Sequence, residues 1–197
     1  MIKIMLATRN GGKIKEIKLR LNKYPIIIES LENYPGIPEI EETGKTFEEN
    51  SILKAREISL QTNLPALADD SGLEIYHLEN KPGIYSSRWG STDKDRIQKV
   101  IQALENSDSR QRNAQFVCIM CLYVNKNNIF TTKGICKGRI TLSPKGNSGF
   151  GYDPIFIPEG YNETFAQLGD DIKNKISHRA IALQKMIKII IRHFNLN

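Results

Sequence analysis

Apolar and polar positions alternate from the start of the chain: Ile2, Ile4 and Leu6 are interleaved with Lys3 and Met5, the period of a strand. Thr8-Arg9-Asn10-Gly11-Gly12 interrupts this pattern as a turn. From Lys13 the period lengthens to place Ile14, Ile17 and Leu21 on one face of a helix. Pro25 to Leu31 reads as a second strand, and Glu32 to Glu42, with Pro35, Gly36 and Pro38, as a loop. Thr46-Phe47-Glu48-Glu49 has the form of a capping box, Thr46 at the cap and Glu49 at N3. It opens a helix to about Gln61 with Ile52, Ala55 and Ile58 inward.

Pro65 to Ala68 reads as a short buried strand closed by Asp69-Asp70, with Gly72 as its turn and Leu73 to Leu78 as a hairpin partner. A helix starting near Thr92 carries Ile97, Val100, Ile101 and Leu104. Strands are expected at Ala114 to Val124, Ile129 to Cys136 and Gly138 to Leu142. Ser177 caps a final helix with Ile181, Met186, Ile187 and Ile190 on its apolar positions. Strand and helix alternate early and strands cluster late. The expectation is an α/β fold in one domain, residues 1–197, with a mixed sheet flanked by helices.

Composition adds little to that picture: 197 residues, 40% hydrophobic and 25% charged, describe an ordinary globular chain able to bury a core. No apolar stretch is long enough to cross a bilayer and the N-terminus does not read as a signal peptide, so no membrane partner is expected and the expected location is the cytoplasm. A net charge of +6 suggests an anionic partner. The cations are scattered, without a basic tail or an aromatic-interleaved block, which argues against a dedicated nucleic-acid binder. Cys118 and Cys121 have C-x-x-C spacing but lie within one strand, where positions i and i+3 face opposite ways. They and Cys136 read as free structural thiols rather than a metal or redox pair.

Five segments have chemistry to offer. Asp69-Asp70-Ser71-Gly72 puts two carboxylates side by side on a strand, so only one faces a given cleft; taken alone it also reads as a capped acidic turn. Thr8 to Lys13 joins a strand to a helix through glycines, which lets backbone amides approach an anion, or else forms a plain turn with a solvated lysine. Glu41 and Glu42 are loop carboxylates that, on approaching Asp70, could complete an oxygen-ligand site for Mg²⁺, and Asn50 and Lys54 share one face of the following helix; the alternative is an acidic loop and a solvated helix face. Ser148 to Pro154 presents aromatics between glycines, suited to stacking on a base or to core packing. Lys173 and His178-Arg179 put cations at and near a helix start, against the local field.

Together these stretches resemble the inosine triphosphate/xanthosine triphosphate pyrophosphatase family. The matching segments, in the family's order, are Thr8 to Lys13, Glu41 to Asn50, Leu67 to Leu73, Pro82 to Arg88, Gly149 to Pro154 and Ser177 to Arg179. The resemblance implies an elongated α/β protein with a long curved mixed sheet and two lobes about a central cleft, usually a homodimer. It implies Mg²⁺-dependent hydrolysis of deaminated purine nucleoside triphosphates (ITP, dITP, XTP) to the monophosphate and pyrophosphate. Carried over by position, Thr8, Arg9, Asn10, Gly11, Gly12 and Lys13 hold phosphates, with Lys54 near the triphosphate. Glu42 and Asp70 bind the metal, with Asp70 also the proton acceptor; Glu41, one residue away, is the alternative to Glu42. Ser71, Phe150, Gly151, Tyr152, Asp153, Lys173, His178 and Arg179 fall on substrate-binding positions, the last two near the base. Two departures stand out: Gln167 where Glu is expected, and Ser87 where alanine is commoner.

On charge grounds, Lys13, Lys54, Lys173 and Mg²⁺ are expected to neutralise the triphosphate, and Mg²⁺ with the lysines to press the Asp70 pKa below its ordinary value. That favours Asp70 as ligand and orienter of water over a strong base. An arginine or histidine donor at the purine 6-oxygen would accept inosine and reject adenosine. Rival readings are a nucleic-acid binder, a silent nucleotide sensor and a phosphohydrolase that removes single phosphates.

Overall fold

The computed structural model describes residues 1–196. In it β1 (Ile2–Leu6), α1 (Gly11–Leu21) and β2 (Ile26–Ser30) form a parallel crossover unit, with Ile2 opposite Ile26 and Leu6 opposite Ser30. Then come α2 (Phe47–Thr62), β3 (Ala66–Ile75), the two-residue β4 (Lys81–Pro82), α3 (Asp93–Ala103), β5 (Asn113–Asn125), β6 (Asn128–Ile140), β7 (Phe156–Pro158), α4 (Phe165–Ile176) and α5 (His178–His193). The strands make one mixed sheet in the order β2-β1-β3-β5-β6-β7, with β4 on β3. β1 pairs parallel with β2 and β3, while β3–β4 and β6–β7 are antiparallel. No described helix is long and apolar enough to cross a membrane.

The chain divides into two compact units, discontinuous in sequence. One comprises Met1–Asp70, Cys118–Lys133 and the chain from Ala182 onward; the other comprises Ser71–Val117 and Gly134–Ile181. The divisions fall inside β3, β5, β6 and α5, so each of these elements serves both units.

In the first unit the period of two sorts side chains strictly. Ile4, Leu6, Leu67, Cys118, Met120 and Leu122 join α1 and α5 in one core. Met5, Ala66, Ala68, Cys121 and Tyr123 join Ala55 and Ile58 of α2 in another. Cys118 and Cys121 thus lie in different cores, buried and outside any disulfide as their spacing requires. The second unit is built on aromatic contacts, with Phe116 and Phe156 ring centroids 4.6 Å apart and Phe156 and Phe165 5.4 Å apart.

Four local expectations are corrected. Asp69-Asp70 does not end a strand and Gly72 does not turn: β3 runs unbroken through both, with Gly72 lacking a positive φ. The aspartates stay in the sheet because each meets a lysine, so there is no hairpin over Leu73 to Leu78. Nor does β6 break near Lys137. Gly138 is there because a Cβ would lie 2.3 Å from the Ile157 carbonyl oxygen across the β6–β7 pairing. Thr46 accepts the Glu49 N–H at 3.1 Å, but the Glu49 carboxylate accepts from Lys45 N rather than from the cap residue, so the box is only half closed. Finally, β7 and α4 form where the sequence showed no element. The pattern over α4 is interrupted by Gly169 (φ 75°, ψ 176°), which hides its periodicity.

Candidate active site

Strand alternation in β3 decides what each carboxylate meets. Asp69 shares the face of Leu67, toward α1, and its Oδ2 lies 3.1 Å from Lys13 Nζ. Asp70 shares the face of Ala68, toward α2. There its Oδ2 accepts from Asn50 Nδ2 at 3.1 Å, and its Oδ1 stands 3.7 Å from Lys54 Nζ. Both aspartates are buried, at 2% and 5% exposed.

Lys54 is the hub of this cluster. It donates to Glu42 Oε1 at 2.5 Å and to the Asp69 carbonyl at 2.8 Å. Burial pulls its pKa down, but the charges of Asp70, Glu42 and Asp69 outweigh burial and hold it above the ordinary lysine value. For Asp70 the balance goes the other way: among the protein's own groups, burial outweighs Lys54, Glu42 adds to the rise, and the pKa is raised. This reverses the direction expected from the lysines alone, because desolvation of a nearly closed carboxylate exceeds the pull of its partners. The geometry also separates the two neighbouring glutamates: Glu42 is half-buried on Lys54, whereas Glu41 is exposed.

The loop before α1 leads into a capped helix N-terminus. Asn10 caps the helix, its Oδ1 accepting from Lys13 N at 3.0 Å, and its own N–H donates to Thr8 Oγ1 at 3.1 Å. A Cβ on Gly11 would meet nothing within 4 Å, so packing alone does not demand glycine at that point. Arg9 behaves differently from its neighbours. Its guanidinium donates to the carbonyls of Leu31, Tyr34 and Ile37 at 2.8, 3.2 and 2.7 Å, which ties down the loop after β2.

The second unit holds the aromatic set. Gly149 (φ 80°) and Gly151 (φ 62°) bend the chain around Phe150, and a Cβ on Gly149 would sit 2.0 Å from Asp153 Oδ2. That same Oδ2 accepts from Phe150 N at 2.8 Å and from Lys173 Nζ at 2.6 Å. The Lys173 ammonium lies 4.2 Å from the centre of the Phe150 ring, and the lysine is only 3% exposed. The Arg179 guanidinium carbon lies 5.7 Å from that ring, and Arg179 donates to Ser71 Oγ at 2.9 Å. The His178 ring stacks on Phe116 with centroids 4.7 Å apart. Ser177 Oγ accepts from Ala180 N at 3.2 Å, so the expected cap of α5 is present.

A profile of the Ham1 family matches residues 4–189. The chain is 43% identical over 199 residues to a dITP/XTP pyrophosphatase of Coxiella burnetii, covering 98% of this chain and 99% of that one. It is 42% identical over 193 residues to one of Bacillus subtilis, covering 96% and 98%. The solved structure of a HAM1 protein from Coxiella burnetii superposes with a TM-score of 0.89, covering 98% of this chain and all of that one.

The chain belongs to the Ham1 family. Within this Ham1 fold the departure at Gln167 is absorbed locally: its Oε1 accepts from Thr164 N at 3.1 Å and closes the capping box of α4, as a glutamate would. Ser87 is exposed, and its carbonyl accepts from Arg96. Two residues whose contacts sequence reading did not assign support the site. Asn50 holds Asp70, as described. Asp93, the first residue of α3, accepts the Gly151 N–H on Oδ2 at 2.8 Å and pairs with Arg96 through Oδ1. No sequence signal links Asp93 to a residue 58 positions away; only the fold does.

Proposed function

We propose that this protein hydrolyses deaminated purine nucleoside triphosphates (ITP, dITP and XTP) to the monophosphate and pyrophosphate, as the name shared by its Ham1 relatives indicates. The observation that carries the reading at the level of the site is the buried cluster of Asp69, Asp70 and Glu42 with Lys13 and Lys54. Lys13, Lys54 and the amides of Gly11 and Gly12 face charge on the phosphate tail and stabilise the pyrophosphate as it leaves. Asn10, with its side chain fixed on Lys13 N, and Thr8 shape that helix start, and Arg9 holds it through its bonds to the neighbouring loop. Asp70, buried between Asn50 and Lys54, orients the attacking water and takes its proton.

Glu42 and Asp70 have the donor chemistry of a Mg²⁺ site, two carboxylates brought to the same Lys54 ammonium. That suits an ion which takes one or two carboxylates and fills its shell with water and substrate phosphate. When bound there, Mg²⁺ supplies Lewis-acid stabilisation of phosphate charge.

Phe150 offers a flat face for the purine, with Gly151, Tyr152 and Asp153 setting its loop. Arg179 and His178 serve as donors for the 6-oxygen that distinguishes inosine and xanthosine from adenosine, and Ser71 fixes Arg179. Lys173 serves differently from Lys13 and Lys54: its charge is held by Asp153, so it supports the Phe150 ring rather than the phosphates. The chain acts as one catalytic domain and as a homodimer, as the resemblance implies; light scattering after size exclusion tests the latter.

Incubation with ITP, dITP, XTP and the standard triphosphates plus Mg²⁺ tests the reading. The expected outcome is pyrophosphate and monophosphate in equal amounts from the deaminated substrates. Phosphates released singly, or nucleotide bound without turnover, would overturn it.

A further inference from the structure

Asn50 is fully buried, yet it is an uncharged amide set among charges. Both ends of that amide are in use. Nδ2 donates to Asp70 Oδ2 at 3.1 Å, and Oδ1 accepts the Gly44 N–H at 2.8 Å. The orientation is fixed by chemistry, since the flipped amide would set oxygen against carboxylate and N–H₂ against N–H. Gly44 fits only as glycine: a Cβ there would lie 2.6 Å from Asn50 Oδ1 and 2.7 Å from Glu49 Cβ. Gly44 is two residues beyond Glu42, and Lys54, one turn after Asn50 on α2, donates to Glu42 Oε1 at 2.5 Å.

We propose that Asn50 is a positioning residue for both acidic groups of the site, holding Asp70 directly and the Glu42 loop through the Gly44 amide. The inference rests on the functional reading given above. An aspartate at this position would keep the acceptor for Gly44 N–H but oppose Asp70 with a second carboxylate. A leucine would offer neither the acceptor for the Gly44 N–H nor the donor to Asp70 Oδ2. A glutamine is one methylene too long for the same two contacts. The side chain that meets both demands is asparagine.

The test uses the full chain with Asn50→Ala and Asn50→Asp. Three quantities are measured: kcat and KM for dITP, Mn²⁺ binding without nucleotide by electron paramagnetic resonance, and the melting temperature. Groups that orient metal-binding carboxylates act on affinity or turnover by about 10- to 100-fold when removed. Asn50→Ala should therefore weaken Mn²⁺ binding by about tenfold or more and lower kcat by a similar factor, with KM little changed. Asn50→Asp should lower kcat at least as far even though the Gly44 contact survives, which a purely loop-anchoring role would not do. Wild-type kcat in Asn50→Asp, or unchanged Mn²⁺ affinity in Asn50→Ala, would overturn the proposal. Failure of the functional reading shows separately, as a wild-type protein that releases no pyrophosphate, and the Mn²⁺ titration still decides the role of Asn50.

Discussion

Lys173 and Asp153 form an ion pair of 2.6 Å in which both residues are nearly inaccessible to water, at 3% and 2% exposed. Twenty residues apart in sequence, they meet beneath Phe150, whose backbone N–H shares the same carboxylate oxygen. A charge held in this way is committed to the fold. Removing one member strands the other in a low-dielectric interior.

Lys173→Ala should therefore cost about 3–5 kcal/mol of unfolding free energy, as breaking buried pairs does, where an exposed phosphate-binding lysine would cost about 1 kcal/mol or less. Urea denaturation of the two proteins reads the difference. In the same variant KM for dITP should rise as the Phe150 ring loses its support. A stability within about 1 kcal/mol of wild type would return Lys173 to the phosphate-neutralising role expected from sequence.

Much of the first unit follows from period alone. Once β1 and β3 are recognised as strands, alternation sends Asp69 to the face of α1 and Asp70 to that of α2, and the lysine each meets lies on the corresponding helix. What could not be read were contacts set by close approach rather than by pattern. Gly72 and Gly138 look like turn signals, but they sit inside strands, and at Gly138 the close approach of β7 leaves no room for a side chain. Asp93 and Lys173 gain their roles from residues far along the chain. The lift that burial gives the Asp70 pKa among the protein's own groups is hidden for a related reason: sequence shows neighbouring charges but not the depth at which they are buried.

Alkaline pH should destabilise the protein through its buried thiols. Burial pushes Cys121 and Cys136 up to about 12, with Glu48 and Glu159 respectively adding to the effect. In the unfolded chain a thiol ionises near pH ~8.5. Between that pH and about 12 the unfolded state has released a proton that the folded state still holds. The unfolded state binds fewer protons, so stability falls as pH rises, by about 1.4 kcal/mol per pH unit for each thiol. Lys54, whose pKa is raised, adds to the loss once pH passes its unfolded value. Unfolding curves from neutral pH upward should show this slope, and Cys121→Ala should flatten it by about 1.4 kcal/mol per unit. An unchanged slope would mean that Cys121 ionises alike in both states.

Arg179 sets substrate choice if its guanidinium donates to the purine 6-oxygen. Ser71 Oγ and the Phe150 ring already fix its direction. A hydrogen bond from a charged donor is worth about 1.5–3 kcal/mol, or roughly 10- to 100-fold. Arg179→Ala should lower kcat/KM for ITP by about that factor and leave ATP nearly unchanged, narrowing the preference. Ser71→Ala, which frees the guanidinium without removing it, should produce a smaller shift in the same direction. Equal losses for both nucleotides would indicate that Arg179 binds something they share.

Asp70→Asn separates chemistry from fold. The amide keeps the shape of the side chain and an acceptor for Asn50 Nδ2, while Lys54 retains Glu42 and the Asp69 carbonyl. Because burial already disfavours the charged form of Asp70, losing that charge should leave the melting temperature within about 5 °C of wild type. Turnover should behave otherwise. A positioned acid–base group contributes about 10²- to 10⁴-fold, and an amide can neither take a proton from water nor bind a divalent ion as strongly as a carboxylate. Pyrophosphate release from dITP should therefore fall by at least about 10²-fold in a folded protein. A variant turning over at close to the wild-type rate would move the proton acceptor away from this strand and leave Asp70 as a structural partner of α2.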